Sequence, residues 1–438
     1  MARHGPLCFP VPGMLDPRIL ASRRDEIVES CRRRRVTADV DGAIRAQERL
    51  AAAQTELGEA NRRRNEHQAS VQRKLEGAER EAHVAEGRRL KDEVAGIEAA
   101  VTDAQRELEA AMAPIPNLVH PETPEGGEAN FRELRRVGTP RKFGFTPLDH
   151  VILGEKLALI DFEAGAKVTG QKFYFLKNEA VLLELALQRL ALDTVIRGGY
   201  TPYLTPDLAR QSVVDGLAFA PRGAETQIYT IAGTDLDLIG TAEITLGGLH
   251  ADEILDEASL PLRLAGVSHC FRTEAGAAGR ESRGLYRVHQ FTKVEMFVIA
   301  RPEDSEALHA EILALEEEIF QALEVPYRVI DVAAGDLGAP AYRKFDMEAW
   351  LPGRGDGGDW GEVTSCSSCT DYQARRLRIR FKRTGGKRNE LVHTLNGTAV
   401  AISRALIALL ENHQQEDGSI AIPKALRPYT GFDHIGPR

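Results

Sequence analysis

Apolar and small residues along residues 41–112 fall three and four apart. Ala43, Ala46, Leu50, Ala53, Leu57, Ala60, Arg64, His67 and Val71 form one series, and Leu90, Val94, Ile97, Val101, Ala104, Leu108 and Ala111 form a second. Such seams predict two helices packed side by side. The stretch is almost free of proline and aromatic residues and rich in Ala, Glu, Arg, Gln and Leu, the good helix formers. A break near residues 72–86 predicts an antiparallel hairpin. About 35 residues per helix at ~1.5 Å each makes an arm of roughly 50 Å. Arg64 and His67 fall near its tip, where burial is expected to be slight.

The pattern changes after "AMAPIPNLVHPETPEGG" (111–127), whose prolines and glycines read as a linker. Aromatic and β-branched residues return beyond it. Short alternating stretches mix with amphipathic helices such as "NEAVLLELALQRLALDTVIRGG" (178–199). Without a strict strand–helix–strand rhythm, this predicts an α+β domain on a largely antiparallel sheet. The expected organisation is an extension over residues 1–13, a helical arm over 14–112, a linker over 113–130 and a catalytic-sized domain over 131–438.

Charge refines this reading. The chain carries a net −9, yet residues 32–91 hold 15 Lys and Arg against 10 Asp and Glu. A basic segment on an acidic body points to a local polyanion partner. The clusters Arg32–Arg35 and Arg62–Arg64, with Arg73 and Lys74, make a phosphate-tracking arm the functional reading. A dimerising coiled coil or a plain spacer is the bland one. No apolar run reaches the ~18–20 residues of a membrane span. The start "MARHGPLCFPVPG" lacks an apolar core segment and reads as a loose extension, with a short organelle address as the alternative. Five cysteines in 438 residues suit a reducing, cytoplasmic compartment. "CSSC" (366–369) has no second pair at ligand spacing, so no structural zinc is expected.

The densest chemistry lies in "FRTEAGAAGRESRGLYRVHQFTKVEMF" (271–297). It reads as a strand ending near Glu274, a glycine-rich loop, and a returning strand from Leu285. Alternation puts Arg287, His289, Phe291, Lys293 and Glu295 on one face and Val288, Val294, Met296 and Val298 on the core face. A solvated face with cross-strand ion pairs is the plain alternative. Phe291 argues against it, because a large ring among charges needs something flat to cover. A nucleotide meets that demand: arginines for phosphates, an aromatic face for a base, a carboxylate for an exocyclic amine. No G-x-x-x-x-G-K-[ST] or strand-linked G-x-G-x-x-G is present to hold phosphates in another way.

This segment resembles motif 2 of class II aminoacyl-tRNA synthetases, in the seryl form. "GYTPYLTPDL" (199–208) is similar to motif 1, with Pro206 as its dimer-interface proline. "TAE" (241–243) is similar to the serine-binding loop. "EVTSCSSCTDYQARR" (362–376) and "HTLNGTAVAISRALIALLENHQ" (393–414) resemble the late ATP segment and motif 3. The resemblance implies a class II antiparallel sheet flanked by helices, with the N-terminal antiparallel helical hairpin as a tRNA arm.

It also implies an enzyme that activates L-serine with ATP and Mg²⁺ and transfers it to the 3′ end of tRNA(Ser). Arg272 and Arg404 are the implied catalytic residues. Arg272 would bind the α-phosphate and the substrate carboxylate, and Glu274, beside Thr273, would accept from the adenine amine. The run Val288, His289, Gln290 and Phe291 would border the base, with Phe291 stacking on it. Arg404 would face the γ-phosphate. Glu362 and Ser365 would lie at the Mg²⁺ end, with Val363 and Thr364 between them. Thr241, Ala242, Glu243, Arg272, Glu295, Asn396 and Thr398 would surround the serine. The implied partners are tRNA(Ser), gripped by its long variable arm and acceptor end, and a second copy of the chain in a homodimer; no membrane is implied. A paralogue making seryl-adenylate for a non-tRNA carrier, an inhibitor-insensitive duplicate and a non-catalytic scaffold are the alternatives. The sequence departs from the family pattern at "DGLAFAPRGAETQIYTI" (215–231), before Met14, and at Thr398, where Ser is common.

Overall fold

The computed structural model describes residues 15–70, 76–219, 227–275 and 284–437. Arg73, Lys74, the 1–13 extension and residues 220–226 of the atypical stretch lie outside the described residues. The chain forms two compact units that divide between Leu118 and Val119.

The first unit is helical. A short helix α1 (Arg24–Arg33) precedes two long ones, α2 (Val40–Ala69) and α3 (Gly77–Met112). Asp39 starts α2 by accepting the Gly42 N–H at 2.7 Å. The helices run antiparallel, since Arg49 pairs with Glu107, Arg63 with Glu93, and His67 stacks on His83 at 3.9 Å. Ala43, Ala46, Leu50 and Ala60 face Leu90, Val94 and Leu108 in the buried seam, as the spacing predicts. Two details differ from expectation. α3 already begins at Gly77, inside the stretch expected to be the break. Arg64 and His67 are half-buried, because His67 packs on the opposite helix and its Nε2 bonds the His83 carbonyl at 3.0 Å.

The second unit is built on eight strands: β1 (Arg132–Val137), β2 (Thr201–Leu204), β3 (Leu262–Phe271), β4 (Gln290–Ala300), β5 (Tyr327–Asp331), β6 (Arg343–Leu351), β7 (Asp359–Thr370) and β8 (His393–Ala401). They lie in the order β1-β5-β6-β7-β8-β4-β3-β2. Every pairing is antiparallel except β2 with β3. Strand alternation on β4 splits the core. Val294, Met296, Val298 and Ala300 join the larger apolar cluster, and Phe297 and Ile299 join the smaller one on the other face. The helices α5 (Glu179–Arg197), α7 (Ser305–Ala322) and α8 (Ile402–His413) pack into the larger cluster. Two shorter helices matter for the site, α4 (His150–Lys156) and α6 (Ala242–Leu249). A bulge on the β4–β8 pair sets Glu295 opposite Thr398, the kind of irregularity that re-aims side chains next to functional sites.

Candidate active site

The returning strand of the hairpin is shorter than its pattern predicts. β4 begins at Gln290, and residues 285–289 are turns and bends. The outgoing strand ends at Phe271, so Arg272 and Glu274 leave the sheet before they reach the site. Glu274 sits at φ 51°, a region that costs a non-glycine residue energy and recurs at functional sites. Arg272 N–H reaches the His289 carbonyl at 3.0 Å, which ties the two branches together.

Side chains from both branches, from β7 and β8 and from the starts of α6 and α8 converge on one pocket of about 210 Å³. Arg272, Glu274, Val288 and Phe291 line it from the hairpin, with Lys293 and Glu295 deeper along β4. Thr241 and Glu243 enter from the N-terminal end of α6. Glu362, Val363, Thr364 and Ser365 come from β7, Asn396 and Thr398 from β8, and Arg404 from α8. The wall does not include Thr273, Ala242, His289 or Gln290. The Thr273 amide bonds the Gln227 carbonyl. Ala242 packs into the smaller core cluster. His289 turns its Nδ1 to the Arg272 carbonyl at 2.8 Å, and Gln290 pairs with Phe271. Val288, assigned by alternation to the core face, lines the pocket, because the residues before Gln290 are not strand.

One end of the pocket is acidic and closely bonded. Glu243 Oε1 accepts from Gln373 Nε2 at 2.7 Å and from Asn396 Nδ2 at 3.0 Å. Burial, aided by the charge of Glu295, pushes the Glu243 carboxyl up to about 7. The Glu295 carboxyl is also raised, through burial that the Lys293 ammonium at 2.5 Å partly offsets. Thr398 Oγ1 donates to Glu295 Oε2 at 3.4 Å.

The other end is basic and aromatic. The Arg272 guanidinium lies 5.3 Å from the Phe291 ring and 5.7 Å from Phe219. Arg404 donates to Glu362 Oε1 at 2.9 Å and lies 4.8 Å from the Tyr286 ring. Burial pushes the Glu362 carboxyl up, but Arg404 and Lys344 outweigh it and hold it at about 2.

Several lining residues were not legible as such: Phe219, Tyr286, Ala401 and Ser403. Beneath the pocket, Glu316 of α7 accepts from Thr364 Oγ1 at 2.7 Å, and burial raises its carboxyl well above the usual range. Gly397 makes room for it, since a Cβ there would meet Glu316 Oε1 at 2.8 Å. The spacing held a signal for Glu316. Leu308, Ile312, Glu316 and Phe320 lie four apart on the buried stripe of α7.

A hard cation fits the pocket's Glu362 end. Glu362 stays ionised and Ser365 offers a hydroxyl. In the adjoining cavity Asp346, bound through Oδ2 to Lys344 at 3.0 Å, leaves Oδ1 buried with no partner. Among the described residues no cluster of three or more His, Cys, Asp or Glu could hold a metal alone. Mg²⁺ needs none, because it is commonly held by one or two side chains plus phosphates and water.

Comparison with known proteins agrees with this geometry. The family described as "Seryl-tRNA synthetase N-terminal domain" matches residues 14–119, and "tRNA synthetase class II core domain (G, H, P, S and T)" matches residues 229–413. A protein of Treponema denticola named "Serine--tRNA ligase" is 53% identical over 97% of this chain and 100% of its own length.

The chain belongs to the seryl-tRNA synthetase family.

A second "Serine--tRNA ligase", from Rubrobacter xylanophilus, is 54% identical over 97% of the chain and 99% of its own. Among solved structures, the seryl-tRNA synthetase of Pyrococcus horikoshii complexed with ATP superposes with a TM-score of 0.88. It is 38% identical and covers 97% of this chain and 100% of its own. The cytoplasmic serine-tRNA ligase of Naegleria fowleri in complex with AMP gives 0.85 at 32% identity, covering 97% and 99%. The α+β fold, the long helical hairpin and the class II sheet are those of this family.

Proposed function

We propose that this chain activates L-serine with ATP to seryl-adenylate and transfers serine to the 3′ end of tRNA(Ser). The observation that carries the reading is the polarity of a single pocket. A buried carboxylate, a half-buried one and a hydroxyl suit an amino acid with a hydroxyl side chain. Two arginines and an aromatic ring in the same pocket suit a nucleoside triphosphate.

In the first step a serine carboxylate oxygen bonds the α-phosphorus, the bond to the bridging oxygen breaks, and pyrophosphate leaves. Two anions must meet, so positive charge at the α-phosphate does most of the work. Arg272 supplies it from the basic end, close enough to the serine end for its charge to lower the carboxyls of Glu243 and Glu295. Phe291 stacks on the adenine, Glu274 accepts from its amine, and Arg404 faces the γ-phosphate. Glu243 receives the serine ammonium, and Glu295 with Thr398 receives its hydroxyl. Glu362 and Ser365 would hold Mg²⁺, which supplies further charge neutralisation at the phosphates. No side-chain nucleophile is required. In the second step a ribose hydroxyl at the tRNA 3′ end takes the acyl group and AMP leaves.

The organisation that serves this chemistry is an arm through residue 112, a linker over 113–130 and a catalytic domain from 131. The arm, an antiparallel coiled coil, tracks the phosphates of the long variable arm through Arg62, Arg63, Arg64, Arg73 and Lys74. Arg63 must leave Glu93 to do so. The enzyme is a homodimer. Support comes from the edge strand β2, where Leu204 is 87% exposed, and from Val181, Leu182 and Leu185 on the outer face of the adjacent α5. No described helix is long and apolar enough to cross a membrane, and the low cysteine content fits residence in the cytoplasm.

Pyrophosphate exchange with each of the twenty amino acids, followed by charging of total tRNA, tests the function. Serine-dependent exchange and seryl-tRNA are expected. Exchange without charging would point to a carrier-loading paralogue instead.

A further inference from the structure

Behind the basic end of the pocket lies a second polar assembly. His150, the first residue of α4, is 7% exposed. Its Nδ1 lies 2.8 Å from Glu411 Oε1, and that oxygen also accepts the His150 backbone N–H at 3.0 Å. Glu411 Oε2 accepts the Gly353 N–H at 2.8 Å. A carboxylate only accepts, so the shared proton sits on Nδ1 and Nε2 keeps a lone pair. That lone pair receives the Leu285 N–H at 3.1 Å.

Leu285 is fully buried, and a buried amide without an acceptor is costly. The close approach depends on Gly284, at φ 68°, where a Cβ would fall 2.0 Å from His150 Nε2. The next residue is Tyr286. Its ring lies between two guanidinium groups, 4.9 Å from Arg354 Cζ and 4.8 Å from Arg404 Cζ. Arg404 and Glu411 are seven residues apart on α8, two turns along one face. The helix therefore holds the Leu285–Tyr286 segment at two points: Arg404 against the ring, and Glu411 through the imidazole to the backbone beside it.

We propose that His150 is a positioning residue for ATP binding. Oriented by Glu411, it fixes the Leu285 amide, and thereby the Tyr286 ring against which Arg404 takes its place in the site. The inference rests on the reading of Arg404 as a phosphate-facing arginine. It sets His150 apart from the serine end, where Glu243, Glu295 and Thr398 bond other partners.

Two substitutions separate positioning from bulk stability. His150→Asn keeps a side-chain N–H near Nδ1 for Glu411 and removes the acceptor for Leu285. His150→Gln places a carbonyl oxygen near Nε2 and removes the Nδ1 donor. Serine-dependent exchange is measured with ATP and serine varied in turn, and ATP binding is followed by calorimetry. His150→Asn is expected to raise KM for ATP roughly tenfold, the scale of one lost buried acceptor, while KM for serine stays within about twofold. His150→Gln is expected to return KM for ATP to within about threefold of the native value. Unchanged ATP affinity in His150→Asn would overturn the proposal. So would equal losses for both substrates, accompanied by a lowered melting temperature and no recovery in His150→Gln. Absence of exchange in the native chain would instead sink the activity reading, and the calorimetric comparison would still decide the role of His150.

Discussion

Glu243 stands where the serine ammonium is expected, yet its surroundings penalise its charge. Replacing it with Gln should therefore stabilise the protein while disabling it. The Gln carbonyl can keep both bonds that Glu243 Oε1 now accepts, from Gln373 and Asn396. Its NH₂ replaces the second oxygen. The carboxyl is raised from 4.5 to about 7, so its charged form destabilises the fold. Below about pH 4.5 the group is protonated in folded and unfolded chains alike and the penalty is absent. It grows as pH rises and is complete above about 7. A displacement of this size corresponds to about 3 kcal/mol. Solvent at the partly exposed edge of Glu243 trims that to about 2 kcal/mol. Glu243→Gln should then melt roughly 4 °C above the native protein at pH 8 and level with it near pH 4.5. The same variant loses its anionic partner for the ammonium, so KM for serine should rise at least tenfold with KM for ATP little changed. Melting curves across pH 4.5–8, with exchange kinetics at pH 7.5, test both halves. A stability difference that does not grow with pH would refute the electrostatic argument. Unchanged serine affinity would refute the placement of the ammonium.

Arg272→Ala should abolish adenylate formation while leaving the fold intact, a loss of about 3 kcal/mol or more of transition-state stabilisation; near-native pyrophosphate exchange would sink the role. Discrimination against alanine should exceed that against threonine and approach 10⁴-fold, because alanine brings no hydroxyl to the Glu295–Thr398 pair; comparable kcat/KM for serine and alanine would contradict it. Replacing residues 41–111 with a short Gly/Ser linker should spare exchange and collapse tRNA charging. In the intact enzyme tRNA binding should weaken by roughly 0.7–0.9 log unit per log unit of salt for each phosphate contact. Full charging by the armless protein would make the hairpin a spacer.

What the sequence disclosed and what it hid divide along physical lines. Helical periodicity is local, so the buried seam from Ala43 to Ala60 and from Leu90 to Leu108 could be read directly. Alternation along β4 likewise placed Phe291, Lys293 and Glu295 on one face. It failed at Val288, because alternation carries no meaning once the backbone leaves the sheet, and nothing in "LYRVHQ" marks that departure. Phe219 and Tyr286 escaped because their roles are set by arginines distant in sequence: Arg272 for one, Arg354 and Arg404 for the other. Glu316 sits in the acidic run Glu316–Glu318 and reads as surface. Only its four-residue spacing from Ile312 and Phe320 betrays it. His150 carried no sequence signal, since its meaning depends on Glu411, 261 residues away.

The strand order has a consequence for how the chain is made. β8 lies between β7 and β4, yet it is the last of the eight strands to leave the ribosome. Until residues 393–401 emerge, the sheet is two halves, each with an unsatisfied edge where the other should join. Two strand edges, one of them rich in β-branched and aromatic residues, are open to wrong partners in that interval. The helical unit, complete by Leu118, can fold early and wait. A nascent chain stopped at residue 392 should show a protease-resistant arm and a sensitive, aggregation-prone body. A chain released after residue 413, with α8 also present, should close the sheet. The pocket, which draws on β4, β7 and β8 together, is thus a product of the final stage of synthesis, and an incomplete chain cannot activate an amino acid.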